Sequence, residues 1–133
     1  MRQRILVVED NQPNRELLCD WLEANDYDVV FAEDLHQALG AFEYQTPDAV
    51  LLDVQLGSED GLTLARTIRR ESRLSHLPII AVTAHAMVTD RERVIQAGCN
   101  ACISKPIDFK LLREQLQQWL EVAATLHTAS LRR

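Results

Sequence analysis

The chain has 133 residues, of which 47% are hydrophobic and 26% charged, and its 20 acidic residues against 14 Lys and Arg give a formal net charge of −6. This length and balance predict a single globular domain and disfavour a disordered, collagen-like or coiled-coil chain. The acidic charge opposes non-specific nucleic-acid binding, which depends on neutralising phosphates.

Five short apolar runs alternate with helical patterns along the chain. Runs that are apolar on both faces are typical of strands in a parallel sheet covered by helices on both sides. The predicted strands are residues 5–8, 29–32, 49–52 and 79–82, with a weaker fifth at 101–103. The apolar faces of the intervening helices are predicted at Leu17, Leu18, Trp21 and Leu22; at Leu35, Ala38, Leu39 and Phe42; at Leu62, Ala65 and Ile68; at Val88, Val94, Ile95 and Ala97; and at Leu111, Leu112, Leu116, Trp119 and Leu120.

This alternation predicts the class and the extent of the fold. Five β-α units joined by right-handed crossovers give an α/β protein, a (βα)5 three-layer sandwich around one five-stranded parallel sheet. We expect one domain over residues 1–124 and a C-terminal tail or the start of a linker over residues 125–133. Neither a membrane-spanning segment nor a signal peptide is predicted, and the three cysteines are too few for a disulfide framework, so we expect a cytoplasmic protein with reduced thiols.

Polar side chains follow the predicted strands at the edge where ligands bind in an open α/β sheet. Glu9 and Asp10 follow the first strand, and Asp53 ends the third. Thr83 ends the fourth, and Lys105 follows the fifth. Converging carboxylates repel one another unless a cation joins them, and Mg²⁺ prefers such oxygen ligands. A hydroxyl and an ammonium group beside them suit phosphoryl oxygens, so the sequence predicts phosphoryl transfer to a carboxylate.

Together these motifs resemble the receiver domain of two-component response regulators over about residues 4–122. The matching motifs are Glu9-Asp10, Leu51-Leu52-Asp53, Asp60-Gly61, Thr83-Ala84 and Lys105-Pro106, in the family's order and spacing. The resemblance implies a flavodoxin-like (CheY-like) sheet with strand order 2-1-3-4-5. It also implies a phosphorelay signalling module rather than an enzyme, although one that assists its own phosphorylation and dephosphorylation.

The resemblance implies a role for each acidic residue of the site. Asp53 is expected to accept a phosphoryl group from a histidine kinase or a histidine phosphotransfer protein. Mg²⁺, for which Mn²⁺ can substitute, is expected to bind Asp10, Asp53 and the backbone carbonyl of Gln55 directly. Glu9 is expected to contribute directly or through water.

The resemblance also implies which groups hold the phosphoryl oxygens. Lys105 is expected to contact them, and Thr83 and the backbone N–H of Ala84 are expected to donate to them. The Lys105-Pro106 peptide bond is expected to be cis, as is typical of the family.

Several positions depart from the family pattern. Cys102 stands where most members have an aromatic ring that rotates in the switch, so we expect the loops after Thr83 and Lys105 to transmit the signal instead. Gly57 stands where proline is usual, and it is expected to loosen its loop. Gln55 and His85 lie two residues beyond Asp53 and Thr83, and they are expected to tune the lifetime of the phosphoryl group.

Other interpretations of the motifs are less favoured. Cys99 and Cys102 form a C-x-x-C pattern, but it follows a helix end rather than opening a helix, which disfavours a redox role. A haloacid-dehalogenase-type phosphatase needs a second Asp where Gln55 stands, and a cap domain. A flavin- or nucleotide-binding protein needs a glycine-rich turn after the first strand, where residues 9–14 contain no glycine. A receiver that only binds partners would normally have lost an acid or the lysine.

Partners are predicted from the resemblance alone. We expect the first helix to dock a histidine kinase or a histidine phosphotransfer domain, and we expect neither nucleic acid nor membrane to be bound. A homodimer through the fourth helix, the last strand and the last helix is a further expectation. The downstream partner is left open.

Overall fold

A computed structural model describes residues 2–84 and 87–131, and it describes side chains as far as residue 126. His85 therefore lies outside the described residues. The strands are β1 (Arg4–Val8), β2 (Asp28–Ala32), β3 (Ala49–Asp53), β4 (Gln55–Leu56), β5 (Glu59–Asp60), β6 (Ile79–Thr83) and β7 (Ala101–Ser104). The helices are α1 (Gln12–Ala24), α2 (Leu35–Tyr44), α3 (Leu62–Arg69), α4 (Val88–Gln96) and α5 (Phe109–Leu131), with a 3₁₀ turn at Ser72–Leu74.

The main sheet has five parallel strands in the order β2-β1-β3-β6-β7. This confirms the predicted order 2-1-3-4-5, because β4 and β5 form a separate antiparallel hairpin and do not join the sheet. In the register of the sheet, Val8 lies opposite Leu52, and Asp53 lies opposite Val82. The strand ends, and the polar residues that follow them, therefore meet at one edge.

Two apolar layers cover the sheet, as the three-layer prediction requires. Ile5 and Val7 of β1 face the core that contains buried leucines of α1 and α5. Leu6 and Val8 face the opposite core, which α2, α3 and α4 complete. This alternation follows from the two-residue period of side chains along a strand. A sheet buried on both faces is a rigid support for whatever lies at its edge.

Some residues predicted on the buried faces of helices are exposed, which corrects those assignments. Leu17 is 57% exposed, although it directly precedes the buried Leu18. Neighbouring residues on a helix point about 100° apart, so only one of two adjacent apolar residues faces a flat sheet. The same reason applies to Leu39, Ile95 and Leu111, which are exposed beside the buried Ala38, Val94 and Leu112. Val88, at the start of α4, is exposed as well.

The segment after Asp53 is a hairpin rather than an irregular loop. Gly57 lies at its turn with a φ of 58°, a left-handed conformation that favours glycine. Gly61 follows the hairpin, and a Cβ atom there would run into the backbone carbonyl of Asp53, so a larger residue would displace the end of β3. The expected loosening by Gly57 concerns motion and stays a prediction.

Helix α5 continues to Leu131 and includes most of the predicted tail. The boundary at residue 124 stays a prediction. Among the residues described, none of the helices combines the length and the apolar character that crossing a membrane requires.

Arg69 joins several segments at the amino-terminal edge of the sheet. Its guanidinium donates hydrogen bonds to the backbone carbonyls of Gly98 (2.9 Å) and Leu74 (3.1 Å) and to the Asn100 side chain (2.9 Å). The same Asn100 oxygen accepts the backbone N–H of Ile79 at 2.8 Å. Arg69 thus holds the end of α3 against the chain that enters β6 and β7.

We expect Arg69→Gln to lower the free energy of unfolding by at least about 2 kcal/mol, because partly buried acceptors lose a charged donor. Urea denaturation measures the change. Arg73→Gln is the matched control: Arg73 is exposed and pairs with the exposed Glu71, so its loss should cost less than about 0.5 kcal/mol. Equal effects of the two substitutions would contradict the role given to Arg69.

Candidate functional site

Three carboxylates converge at the carboxyl-terminal edge of the sheet. One oxygen from each of Glu9, Asp10 and Asp53 lies within 4.8 Å of the others. Glu9 and Asp10 directly follow β1, and Asp53 is the last residue of the neighbouring strand β3. Glu9 is 2% exposed and Asp53 is 7% exposed, whereas Asp10 lies at the surface. The sequence prediction that these acids meet in one pocket is in agreement with this geometry.

Lys105 balances part of this negative charge. Its Nζ donates to Asp53 Oδ2 at 3.0 Å and to Glu9 Oε1 at 3.1 Å. The backbone N–H of Lys105 donates to the carbonyl of Thr83 at 2.8 Å, so the lysine is fixed to the end of β6. The Lys105-Pro106 peptide bond is cis in the structure, as expected. The side chains of residues 10, 53 and 105 therefore belong to one site.

Backbone groups complete the immediate surroundings of the buried acids. The N–H of Gln55 donates to Asp53 Oδ1 at 3.0 Å, and the N–H of Asn11 donates to Glu9 Oε2 at 3.4 Å. Thr83 is buried at the end of β6, opposite Ser104, and Ala84 follows it at the surface. The Gln55 side chain is exposed beside the site.

One lysine cannot neutralise all three carboxylates. The pKa of Glu9 reflects its burial and these neighbouring groups. Burial, together with the hydrogen bond and the charge of Asp53, raises the pKa of Glu9 to about 7, although Lys105 opposes this. Burial acts to lower the pKa of Lys105, but its hydrogen bonds and charge interactions with Asp53 and Glu9 raise it overall. Glu9 therefore keeps its proton to a higher pH than an ordinary carboxyl group does, while Lys105 keeps its positive charge.

The acidic cluster fits a hard divalent cation. All three groups offer carboxylate oxygens, which Mg²⁺ prefers over nitrogen or sulfur. Because Mg²⁺ binds oxygen at about 2.1 Å, ligands on opposite sides of the ion lie about 4.2 Å apart. The observed limit of 4.8 Å between the carboxylate oxygens is close to this value. The separations of these oxygens are therefore of the size found among the ligands of one ion.

Cys99 and Cys102 lie in surroundings that suppress thiol reactivity. Cys99 is buried, and burial raises its pKa to about 12. Cys102 packs against the core under α4, and burial raises its pKa as well. Its backbone carbonyl accepts a hydrogen bond from Arg91 at 3.3 Å. Because the thiolate is the reactive form of cysteine, these pKa shifts argue against redox chemistry at this pair.

Two residues that shape the site are not predicted from the sequence. The Asn11 side chain caps α1 by accepting the N–H of Asn14 at 3.0 Å. Arg15 is buried and donates to the backbone carbonyl of Glu9 at 3.3 Å. A signal for Arg15 was present, because this charged residue occupies the buried stripe of α1, three residues before Leu18.

An acidic pocket with a fixed lysine, at the carboxyl edge of a five-stranded parallel sheet, has the groups that phosphoryl transfer to a carboxylate requires. A family model described as the response regulator receiver domain matches residues 5–117. The polar-differentiation response regulator DivK of Brucella anthropi is 38% identical over 120 residues, which are 90% of this chain and 98% of DivK. The chain therefore belongs to the response regulator receiver family and is a signalling module of phosphorelay systems.

Solved structures show the same fold. The receiver domain of sensor histidine kinase PA1611 from Pseudomonas aeruginosa, which has a magnesium ion coordinated in its active site cleft, is 38% identical. Its TM-score is 0.82, and the match covers 91% of this chain and 99% of that one. NtrX from Brucella abortus matches with a TM-score of 0.89 and 27% identity, covering all of this chain but 30% of NtrX.

The raised pKa of Glu9 predicts an unusual pH dependence of stability. The folded protein holds the Glu9 proton more tightly than the unfolded chain does, so protonation of Glu9 stabilises the fold. This stabilisation is complete below pH about 4.5 and is lost as the pH rises through about 7. Without divalent ions, we expect the unfolding free energy of the wild type, relative to Glu9→Gln, to fall by the order of 2 kcal/mol between pH 5 and 8.

Urea denaturation in EDTA, at several pH values, measures this difference. Added Mg²⁺ should stabilise the wild type more at pH 8 than at pH 5.5, because the ion competes with the proton for Glu9. A difference between wild type and Glu9→Gln that does not change with pH would contradict the assignment.

Proposed function

We propose that Asp53 is the residue that accepts the phosphoryl group. The observation that carries this proposal is the contact of its buried carboxylate with Lys105, inside the cluster formed with Glu9 and Asp10. An Asp53 oxygen attacks the phosphorus of a phosphohistidine, the P–N bond breaks, and the imidazole nitrogen leaves with the bonding electron pair and takes up a proton. The product is an acyl phosphate on Asp53.

The cation site and the phosphate-binding groups both adjoin Asp53 in this proposal. Mg²⁺ or Mn²⁺ would be held by Glu9, Asp10, Asp53 and the backbone carbonyl of Gln55. When bound, the ion would offset the charge of the phosphoryl oxygens. Lys105 already contacts Asp53 Oδ2 and is therefore placed to receive those oxygens. Thr83 and the N–H of Ala84 supply further donors. The same groups assist both formation and hydrolysis of the acyl phosphate.

Phosphorylation changes the charge balance of the site. The phosphoryl group adds about 1.5 to 2 negative charges and three acceptor oxygens. Thr83 and Lys105 are linked through a backbone hydrogen bond, so movement toward the new oxygens shifts the ends of β6 and β7 together. Cys102 has no ring to rotate, so we propose that the loops after these two strands carry the signal, by biasing two pre-existing arrangements.

A groove beside the site supports the proposed partner. It has a volume of about 550 Å³ and lies between α1 and the segment that joins β7 to α5. Its lining is mostly apolar and ends at the site residues: Asn14, Leu17, Leu18, Pro106, Ile107 and Phe109, with Glu9 and Lys105. We propose that a histidine kinase or a histidine phosphotransfer domain docks here, which places its phosphohistidine beside Asp53.

The surface formed by α4, β7 and α5 is proposed for contacts between copies of this chain. Three apolar residues of this surface are exposed: Met87 directly before α4, Ile95 in α4 and Leu111 in α5. They support the homodimer through α4, β7 and α5 that the family resemblance implies. A cytoplasmic location, without direct binding of nucleic acid or membrane, belongs to the same proposal.

Incubation with acetyl phosphate and Mg²⁺ should add about 80 Da to the wild type, the mass of one phosphoryl group. Asp53→Asn should abolish the adduct, because the amide is not a nucleophile. Intact mass spectrometry measures it. Asp60→Asn is the matched control, since Asp60 is a nearby acid that accepts the backbone N–H of Leu62 and lies outside the metal cluster. An undiminished adduct on Asp53→Asn would overturn the proposal.

Decay of the same adduct gives the phosphoryl lifetime. We propose that Gln55 and His85 tune hydrolysis, so substitution of both residues should change that lifetime. An unchanged lifetime would remove this role.

The proposed transmission through the loops makes a separate prediction for Cys102. Cys102→Ala removes the thiol but leaves the backbone carbonyl that Arg91 contacts, so it should retain phosphorylation-dependent binding of the partner protein. Pull-down with and without acetyl phosphate measures this. Loss of phosphorylation-dependent binding, with phosphorylation of Asp53 intact, would show that the Cys102 side chain is part of the switch.

A further inference from the structure

Arg15 is a buried charged residue that the proposed chemistry does not use. Among the residues that the structure describes, the buried polar or charged ones are Glu9, Arg15, Asp53 and Thr83. The other three belong to the phosphorylation site. Burying a guanidinium is costly unless it is well paired, so its contacts show what it does.

The guanidinium of Arg15 is held on three sides. Nη1 donates to the backbone carbonyl of Glu9 at 3.3 Å, and Nη2 lies 3.3 Å from Glu33 Oε1. The guanidinium carbon lies 4.9 Å from the centre of the Phe31 ring, in a cation–π contact. The planar fork of arginine makes these contacts at the same time, whereas the single ammonium of lysine does not.

The carbonyl that Arg15 contacts belongs to the peptide unit between Glu9 and Asp10. Because a peptide unit is planar, fixing its oxygen fixes the orientation of the unit that joins these two acids. The N–H of Glu9 is held separately, by the carbonyl of Ala32 at 3.0 Å. Both ends of the Glu9 backbone are therefore anchored to the end of β2 and to α1.

We infer that Arg15 is a positioning residue for the metal site, because it orients the peptide from which the carboxylates of Glu9 and Asp10 project. This inference rests on the proposed function of the acidic cluster. The role is geometric, since the cation in contact with the buried carboxylates is Lys105 and the charge of Arg15 pairs with Glu33. Loss of Arg15 should therefore weaken Mg²⁺ binding even when a positive charge is kept.

Titration of the full chain with Mg²⁺ at pH 8, followed by the backbone amide NMR shifts around Asp53, tests the inference. Arg15→Gln should raise the Kd for Mg²⁺ about tenfold, the usual effect of removing a group that orients metal ligands. Arg15→Lys should also raise it clearly, because lysine keeps the charge and loses the fork. The double variant Phe31→Leu, Glu33→Gln keeps Arg15 without its other two supports and should give a smaller rise.

Arg69→Gln is the matched control, because Arg69 also holds backbone carbonyls but at the opposite edge of the sheet. It should lower the free energy of unfolding and leave the Kd for Mg²⁺ unchanged. A Kd within twofold of the wild type in both Arg15 variants would overturn the inference. A wild-type Kd in Arg15→Lys alone would show that charge is sufficient, and a Kd raised equally by Arg69→Gln would show a general effect of stability; each would also overturn it.

Two further results remain decisive. If Arg15→Gln does not fold, the double variant decides, since an unchanged Kd there overturns the inference. A wild type that shows no Mg²⁺-dependent shifts would instead remove the metal site and the proposed function, which separates the two failures.

Discussion

The site depends on one electrostatic constraint: acids on neighbouring strands meet where a single lysine is available to neutralise them. Lys105 hydrogen-bonds to Asp53 and Glu9, yet the pKa of Glu9 is still raised to about 7. Burial is the larger cause of this shift and Asp53 adds to it, so the pocket favours a proton, and its carboxylate oxygens are suited to a divalent cation. The charge of the site is therefore set by what occupies it, and this is the physical basis for a domain that responds to an added phosphoryl group.

The sheet holds the carboxylates in place despite the repulsion between them. β1, β3 and β6 are central strands whose apolar residues are almost completely buried between two layers of helices, so the backbone that carries the acids does not relax apart. The hydrogen bond from Lys105 to the Thr83 carbonyl places the compensating charge on the same support. The core thus fixes the distances between the like charges. The net charge of the site then depends on the protons, the proposed cation and the phosphoryl group that it binds.

The strand positions and the meeting of Glu9, Asp10, Asp53 and Lys105 followed from the sequence, because apolar runs and parallel topology determine which residues reach one edge. The strand order came from the family resemblance. Which of two adjacent apolar helical residues faces the sheet did not follow from the sequence, since Leu17 and Leu18 differ only by a rotation about the helix axis. The hairpin after Asp53 depends on a left-handed Gly57, which the residue type permits but does not require. The contact of Arg15 depends on three segments, and no local pattern contains it.

Arg15 and Arg69 use the same chemistry at opposite edges of the sheet. Each directs a guanidinium at backbone carbonyls where the chain leaves or enters strands, a place where regular sheet hydrogen bonds end. At the amino-terminal edge the carbonyls held belong to connecting segments alone, so the consequence is confined to stability. At the carboxyl-terminal edge the carbonyl held lies between Glu9 and Asp10, two acids of the proposed metal site, so the same interaction is proposed to act on the geometry of those ligands. The role of each arginine is therefore determined by the peptide that it holds. The burial and the charge of the two side chains do not by themselves distinguish a role in the site from a role in stability.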